Sequence, residues 1–150
     1  NNIVMQNFKS AGYQIYSLEG LRKIDDDGVT FKSHLDGSTH EFTPESIIEI
    51  QRKIGSDMMM ILDVCPSNQS DLKEIERAVD LTTKWAFRSF EHYNSTKPLY
   101  GFKQSIIPII QGSTSNSLRK RSAKELLDEI LQKGSAAQIV QAKSILDNLD

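Results

Sequence analysis

Short β-like runs and turns alternate in the first third of the chain. Asp25–Gly28 is typical of a turn in which glycine supplies a positive φ, and Val29–Lys32 carries β-branched and aromatic residues. Asp36–Ser38 then separates this run from His40–Phe42, which predicts a β-hairpin. Upstream, Tyr13–Tyr16 fits either a short strand or the start of a helix.

A capped helix and a buried strand are predicted after the hairpin. Thr43–Glu45 is typical of a helix start, because threonine caps, proline suits the first position and acidic residues favour the first turn. Four isoleucines between positions 47 and 54 form an apolar stripe, and Gly55 predicts the end of the helix. Met58–Leu62 is continuously apolar, which favours a strand buried on both faces of a parallel sheet.

The second half of the chain repeats the order of helix and strand. Apolar residues recur every three or four positions from about Asp71 to Tyr93, and Ser105–Ile110 is the next apolar strand. Asn116–Gln132 and Ser135–Leu149 read as two further amphipathic helices. An order of hairpin, helix, strand, helix, strand and helix predicts an α/β fold with a parallel sheet and right-handed crossovers.

Composition narrows the class of protein. The 150 residues are 38% hydrophobic and 25% charged, which predicts one globular domain rather than a disordered chain. A net charge of −2 argues against coating nucleic acid by bulk charge, and the single cysteine excludes a disulfide framework or a cysteine-based zinc cage within this chain. With no apolar run near ~20 residues and no signal-peptide pattern, we expect a soluble cytoplasmic protein without a membrane segment.

Two polar residues follow the two predicted parallel strands, where α/β folds collect their chemistry. Asp63 offers a carboxylate that can accept from a pair of N–H groups, such as guanine's Watson–Crick edge, or it serves as a helix cap or turn former. Gln111 offers a donor and an acceptor to an amide-like edge, or it is a polar loop residue. Gly112 permits close backbone approach to a ligand, or it shapes the turn.

Other reactive residues have plainer interpretations. Tyr13 follows small residues and fits a stacking platform for a base, although a tyrosine near a chain end more often serves plain packing. Cys65 has no evident histidine partner, so we expect a buried structural thiol rather than a nucleophile. His34 and His40 are too few for a metal site, which predicts surface histidines. The basic run Arg119–Arg121 predicts a solvated helix face rather than a phosphate site.

A set of motifs distributed along the chain resembles a known family. In chain order they are Gly28–Ser38, Phe42–Glu45, Ile50–Gln51, Gly55–Asp57, Asp63 with Cys65–Pro66, Ile109–Ser113, Leu118–Arg119 and Ser122–Ala123. Together they resemble the tRNA-guanine transglycosylases, also called queuine tRNA-ribosyltransferases. The similarity extends from about Ser10 to Leu131, and the length and irregularity of the first motif argue against chance agreement.

The resemblance implies a fold and a reaction. Family members are irregular (β/α)8 barrels, of which this chain would form a part carrying an inserted β-hairpin. They exchange a guanine in the anticodon loop of tRNA for a 7-deazaguanine base, and this pentosyl transfer belongs to queuosine modification. A flipped-out base enters a pocket, and an aspartate attacks the ribose C1′ to give a covalent intermediate. The implied partners are tRNA, guanine or a 7-deazaguanine base, and a second copy or a partner subunit.

The resemblance also implies roles for individual residues. Asp63 would bind the N–H edge of guanine, and Gln111 would bind its carbonyl side. Tyr13 would stack on the base. Ser10 and Gly112 would line the pocket.

Departures from the family pattern set limits on this chain. Lys9–Gly12 stands where the family has Asp-Ser-Gly-Gly, so Lys9 replaces the expected acidic residue. The half of the barrel that carries the nucleophile is absent from this chain. The zinc ligands of intact family members, three cysteines and a histidine, are absent as well. We therefore expect base recognition without catalytic residues, zinc or turnover, with residues 1–133 forming a partial barrel domain and residues 134–150 a C-terminal helix of unmatched origin.

Two alternatives remain open from the sequence. Lys9 and the unmatched C-terminal helix favour a non-catalytic relative or partner subunit that binds base or tRNA. The other alternative is an ordinary enzyme whose given sequence omits segments, so that Lys9 is out of register.

Overall fold

The computed structural model describes residues 22–33, 35–67, 69–133 and 143–144 as a mixed α/β structure. Its elements are, in chain order, β1 (Arg22–Ile24), β2 (Val29–Lys32), β3 (Thr39–Phe42), α1 (Pro44–Ile54), β4 (Met58–Met60), α2 (Leu72–Ser95), β5 (Ser105–Ile107) and α3 (Asn116–Lys133). The predicted alternation of helices and strands is confirmed over these residues. The predicted helix at Ser135–Leu149 lies outside them except for residues 143 and 144, which are helical.

The chain divides into two compact units. The first contains residues up to 62 together with residues 88–107, and the second contains residues 63–87 together with those from 108 onward. Helix α2 contributes residues to both units. Within the described residues, no helix is long and apolar enough to cross a membrane.

The first unit contains the predicted hairpin, extended by one strand. β2 pairs with β3 in antiparallel register, with Val29 opposite Phe42, and β1 pairs with the other edge of β2. The turn before β2 is present, but the reason predicted for its glycine is wrong. Gly28 does not have a positive φ; instead, a Cβ at this position would lie 2.1 Å from the carbonyl oxygen of Phe42. The missing side chain lets two backbones approach closely.

Helix α1 begins and ends as its sequence predicts. The Ser46 N–H donates to the Thr43 hydroxyl at 3.1 Å, and the Thr43 N–H donates to the Ser46 hydroxyl at 2.9 Å, which forms a capping box. Pro44 occupies the first turn, and Gly55 ends the helix with φ 77°. These caps satisfy backbone groups at the helix ends that no intrahelical partner reaches.

Strand β4 departs from the expectation of burial on both faces. Met59 is fully buried, whereas the side chain of Met58 is 48% exposed. A polar side chain also completes the edge of this strand, because Gln51 of α1 pairs with both backbone groups of Met60. The Met60 N–H donates to Gln51 Oε1 at 2.7 Å, and Gln51 Nε2 donates to the Met60 carbonyl at 2.8 Å. Strand β4 is therefore held by a helix side chain as well as by β5.

Candidate functional site

The two strands that precede the candidate residues run in the same direction. β4 and β5 form a parallel pair with Met58 opposite Ser105 and Met60 opposite Ile107, as the apolar runs predict. Asp63 follows the end of β4 by three residues, and Gln111 follows the end of β5 by four. The sequence thus predicts side chains that meet beyond the carboxyl ends of two neighbouring strands.

Asp63 and Gln111 are in direct contact in the second unit. Gln111 Nε2 donates to Asp63 Oδ2 at 2.6 Å. Gln111 is 7% exposed, and Asp63 is partly buried. Burial raises the pKa of the Asp63 carboxyl above its usual range, although hydrogen bonds from the Gln111 amide and from its own backbone oppose this. The structure therefore brings together a partly desolvated carboxylate and an amide.

The paired groups retain capacity for a ligand. A carboxylate offers about four lone-pair sites on its two oxygens, so one bond from Gln111 leaves Asp63 able to accept further N–H groups. An amide nitrogen carries two hydrogens, so Gln111 can donate one to Asp63 and the other to a carbonyl oxygen. Side by side, the pair presents an acceptor for two N–H groups and a donor for one carbonyl.

Two buried hydroxyls hold the backbone next to this pair. The Val64 N–H donates to Thr82 Oγ1 of α2 at 3.0 Å, and the Gln111 N–H donates to Ser122 Oγ of α3 at 3.1 Å. Thr82 and Ser122 are each 1% exposed. Neither residue was predicted to belong to the site, although Ser122 lies in one of the motifs that carry the family resemblance. Thr82 carried a usable signal, because it is a hydroxyl residue within the apolar stripe of its helix.

Gly112 lies against the first turn of α3. Its φ is 130°, and a Cβ at this position would lie 2.6 Å from the Arg119 nitrogen and 2.8 Å from the Leu118 carbonyl carbon. The Gly112 carbonyl also accepts from the Ser115 N–H at 3.0 Å, just before the helix begins. This close approach to a helix requires glycine, whereas the lining of a pocket by Gly112 stays a prediction.

Gly112→Ala is expected to destabilise the chain by about 3 kcal/mol or more, because the substitution combines a left-handed backbone with overlap onto backbone atoms that cannot move aside. Urea unfolding followed by circular dichroism measures the difference. Gly101→Ala is the matched control, since Gly101 is exposed and a Cβ there meets no atom within 4 Å. Equal unfolding midpoints for the two variants would contradict the packing role of Gly112.

The prediction of a buried Cys65 is wrong. Its side chain is exposed, because it lies beyond the apolar run in the loop after β4 and precedes Pro66. Partial desolvation of the sulfur and then the nearby charge of Asp63 raise the pKa of the Cys65 thiol. A raised pKa leaves less of the thiol as thiolate, which is the nucleophilic form. That Cys65 performs no attack stays a prediction.

The remaining candidates have structural surroundings or lie outside the described residues. His40 is exposed, stacks on Phe31 and contacts the Ser38 hydroxyl at 2.7 Å. Arg121 forms an ion pair with Asp80 at 2.7 Å, as expected of a helix face rather than a phosphate site. Four further candidates lie outside the described residues, and what was predicted for them stays a prediction: Lys9, Ser10, Tyr13 and His34.

The described residues do not form a zinc site. Across the described ranges, no group of three or more histidine, cysteine or carboxylate side chains is placed to hold a metal ion. The sequence contains a single cysteine, and its thiol is exposed with a raised pKa. A cysteine-based zinc site of the kind that the resemblance implies therefore has no counterpart in this part of the chain.

Comparison with known proteins gives a consistent set of similarities. A family model described as "Queuine tRNA-ribosyltransferase" matches residues 2–139. Proteins named queuine tRNA-ribosyltransferase are similar in Leptospira biflexa (47% identical over 117 residues), Thermodesulfovibrio yellowstonii (46% over 118) and Thermoanaerobacter pseudethanolicus (45% over 119). The matches cover 78–79% of this chain but 30% of each relative, so the chain spans about a third of the length of these curated relatives.

Proposed function

The chain belongs to the queuine tRNA-ribosyltransferase family, and from this premise we propose that it is the base-recognition part of a tRNA-guanine transglycosylase. The proposed reaction exchanges a guanine in the anticodon loop of tRNA for a 7-deazaguanine base, in queuosine modification. It is a pentosyl transfer, in which the bond from guanine to the ribose C1′ breaks and a bond to the incoming base forms. The substrates are tRNA and a free base, and we place the reaction in the cytoplasm with its tRNA.

The observation that carries the proposal is the hydrogen-bonded pair of Asp63 and Gln111. Guanine presents a carbonyl oxygen, a ring N–H and an amino group along one edge, in the order acceptor, donor, donor. A carboxylate accepts from the two donors and the second hydrogen of the Gln111 amide reaches the carbonyl, so the two patterns match. Adenine presents an amino group where guanine has its carbonyl, so a donor of the base would face the donor of the Gln111 amide.

The fold supports a location for this recognition. We propose that β4, α2, β5 and α3 are consecutive strand and helix units of a (β/α)8 barrel, with the hairpin as an insertion. Barrel enzymes place their chemistry at the carboxyl ends of the strands, where Asp63 and Gln111 follow β4 and β5. We place the barrel portion in residues 1–133 and treat residues 134–150 as a separate helix. Ser10, Tyr13 and Gly112 complete the proposed base pocket.

The transfer needs more than this chain provides. Because the chain spans about a third of its relatives, we assign the attack on C1′ and the zinc site to the rest of a longer protein. What this chain does in the proposed reaction is hold the leaving guanine and then the incoming base in one orientation. Lowering the freedom of the bound base in this way is a direct contribution to rate. By itself the chain is expected to bind base without exchange.

Equilibrium dialysis of labelled guanine against the 150-residue chain tests the proposal. We expect saturable binding that 7-deazaguanine displaces and adenine does not. Displacement by adenine at the same concentration, or no binding by a chain that circular dichroism shows to be folded, would overturn the assignment. In a parallel assay, tRNA mixed with the chain and labelled guanine should gain no label.

The affinity for guanine is expected to fall as the pH is lowered. Only the ionised Asp63 offers both oxygens as acceptors, because protonation turns one of them into an O–H donor that opposes a donor of guanine. Burial raises the pKa of this carboxyl, so that change occurs at a higher pH than for an ordinary aspartate. Binding is then strongest above the raised pKa and is lost below it. Dialysis in steps from about pH 8 to about pH 4 measures the profile, within the range where guanine stays neutral. A flat profile would show that Asp63 does not accept from the base.

A second candidate function follows from Lys9, which stands where the family pattern has an aspartate. On this alternative the chain belongs to a non-catalytic partner subunit, which binds base or tRNA and pairs with an active copy. A longer protein that contains this segment separates the two. Guanine exchange by that protein alone supports the enzyme, and exchange only after addition of an active relative supports the subunit.

A further inference from the structure

We infer that Thr82 and Ser122 are positioning residues that set the guanine-binding geometry of Asp63 and Gln111. This inference deepens the proposed function and rests on it. Each residue is a buried hydroxyl on a helix, and each accepts from a backbone N–H at or next to a recognition residue. Neither hydroxyl is placed to contact the base in this proposal, and both act through the backbone.

The need for these hydroxyls comes from the ends of the strands. Among the described residues, the pairing of β4 and β5 ends with a hydrogen bond from the Ile61 N–H to the Ile107 carbonyl at 3.3 Å, so Val64 and Gln111 lie beyond the paired part of the two strands. The N–H of Gln111 is buried and that of Val64 is partly buried, and an unpaired N–H in such a position is costly. Thr82 Oγ1 and Ser122 Oγ supply the acceptors at 3.0 and 3.1 Å. Beyond the paired part of the strands, hydroxyls of α2 and α3 therefore supply the acceptors.

Thr82 and Ser122 affect different contacts to the base, because each holds the backbone at a different recognition residue. Thr82 holds the backbone directly after Asp63, whose carboxylate is proposed to read the ring N–H and the amino group of guanine. Ser122 holds the backbone of Gln111 itself, whose amide is proposed to read the carbonyl. The helices that carry the two hydroxyls are also joined, because Arg121 of α3 donates to Asp80 of α2 at 2.7 Å. This ion pair joins α2 and α3 close to the residues that carry the two hydroxyls.

Variants of Thr82 and Ser122 should change the affinities for guanine and hypoxanthine differently. Hypoxanthine has the carbonyl and the ring N–H of guanine but lacks its amino group. Thr82→Val keeps the shape of the side chain and removes the acceptor, so it should weaken guanine binding about fivefold and reduce the preference for guanine over hypoxanthine. Ser122→Ala should weaken both bases about equally, because both present the carbonyl that Gln111 reads.

Matched variants distinguish positioning from general loss of stability. Thr82→Ser keeps the hydroxyl and should restore the affinity for guanine. Thr83→Val is the control, because Thr83 is the next residue of the same helix and its buried hydroxyl has no hydrogen-bond partner among the described residues. It should leave both affinities and their ratio unchanged. Amide hydrogen exchange should show faster exchange at Val64 in Thr82→Val and at Gln111 in Ser122→Ala.

Labelled-base dialysis on the 150-residue chain and these four variants completes the test. The inference is supported by a reduced guanine-to-hypoxanthine ratio in Thr82→Val that Thr82→Ser restores. It is overturned if the wild-type chain binds guanine and Thr82→Val binds both bases with wild-type affinity, or if Thr83→Val lowers the ratio equally. Absence of guanine binding by the folded wild-type chain overturns the proposed function first, and the inference with it.

Discussion

Asp63→Asn is expected to lower the affinity of the chain for guanine at least about a hundredfold while leaving it folded, because two donors of the bound base lose a charged acceptor. The asparagine oxygen can still accept from Gln111, so the contact between the two side chains survives. Its amide group, however, faces the donors of guanine with hydrogens of its own. Dialysis with labelled guanine measures the loss, and urea unfolding measures stability.

The stability of this variant supplies the second half of the test. Burial raises the pKa of Asp63 in the folded chain, so its ionised form is less favourable there than in the unfolded chain. A group with a raised pKa stabilises the fold below its unfolded pKa, and that contribution is lost as the pH rises through the folded value. At neutral pH, Asp63→Asn should therefore be at least as stable as the wild type, with the difference shrinking in acid.

Asp128→Asn is the matched control, because it removes one negative charge from an exposed position of α3 in the same unit. It should leave guanine affinity unchanged. Asp63→Asn with wild-type affinity would remove Asp63 from the site. Loss of both affinity and folded structure would instead assign Asp63 a mainly structural role.

Arg52→Met is expected to destabilise the chain by about 3 kcal/mol, since it removes a buried group that satisfies the end of a helix. Arg52 is 4% exposed, and its guanidinium donates to the Tyr93 carbonyl at 2.8 Å and to the Thr96 carbonyl at 3.2 Å. It also donates to the Thr96 hydroxyl at 3.1 Å and lies 4.8 Å from the centre of the Tyr93 ring. Methionine fills much of the space but leaves these acceptors unpaired.

The charge and the planar shape of Arg52 contribute separately. A cation at the carboxyl end of α2 is favoured by the helix dipole, which lysine would retain. The forked pattern of donors is particular to arginine, so Arg52→Lys should recover only part of the loss. Lys53→Met is the control, because Lys53 is the exposed neighbour on the same helix. Urea midpoints that are equal for Arg52→Met and Lys53→Met would contradict the capping role of Arg52.

Local chemistry accounts for most of the elements that could be predicted. The hairpin, the capped start of α1 and its end at Gly55 each depend on residues that interact within a few positions of one another. The positions of Asp63 and Gln111 after two apolar strands predicted the candidate site, because parallel strands end at the same edge of a sheet. The sequence thus predicted that the two side chains lie near each other, and the structure adds the hydrogen bond between them.

Partners distant in the chain could not be predicted. Arg52 and Gln51 lie within a helix whose isoleucines mark an apolar stripe, yet both are buried. Arg52 donates to the Tyr93 carbonyl, 41 residues away, and Gln51 donates to the Met60 carbonyl beyond the end of the helix. Thr82 belongs to an apolar stripe, but periodicity does not show which N–H it meets. Cys65 was expected to be buried and is exposed, since residue type alone does not set the depth of a loop.

The sequence alone thus determined the order of helices and strands, the caps of α1 and the placement of Asp63 and Gln111 after two apolar strands, through short-range sterics, hydrogen bonding and alternation of polarity. Only the tertiary structure decided which buried polar groups satisfy one another, among them the hydroxyls of Thr82 and Ser122 that accept from the backbone next to Asp63 and Gln111. The physical reason is that a buried donor or acceptor must be paired wherever the packed chain places it. That place depends on every element packed around it.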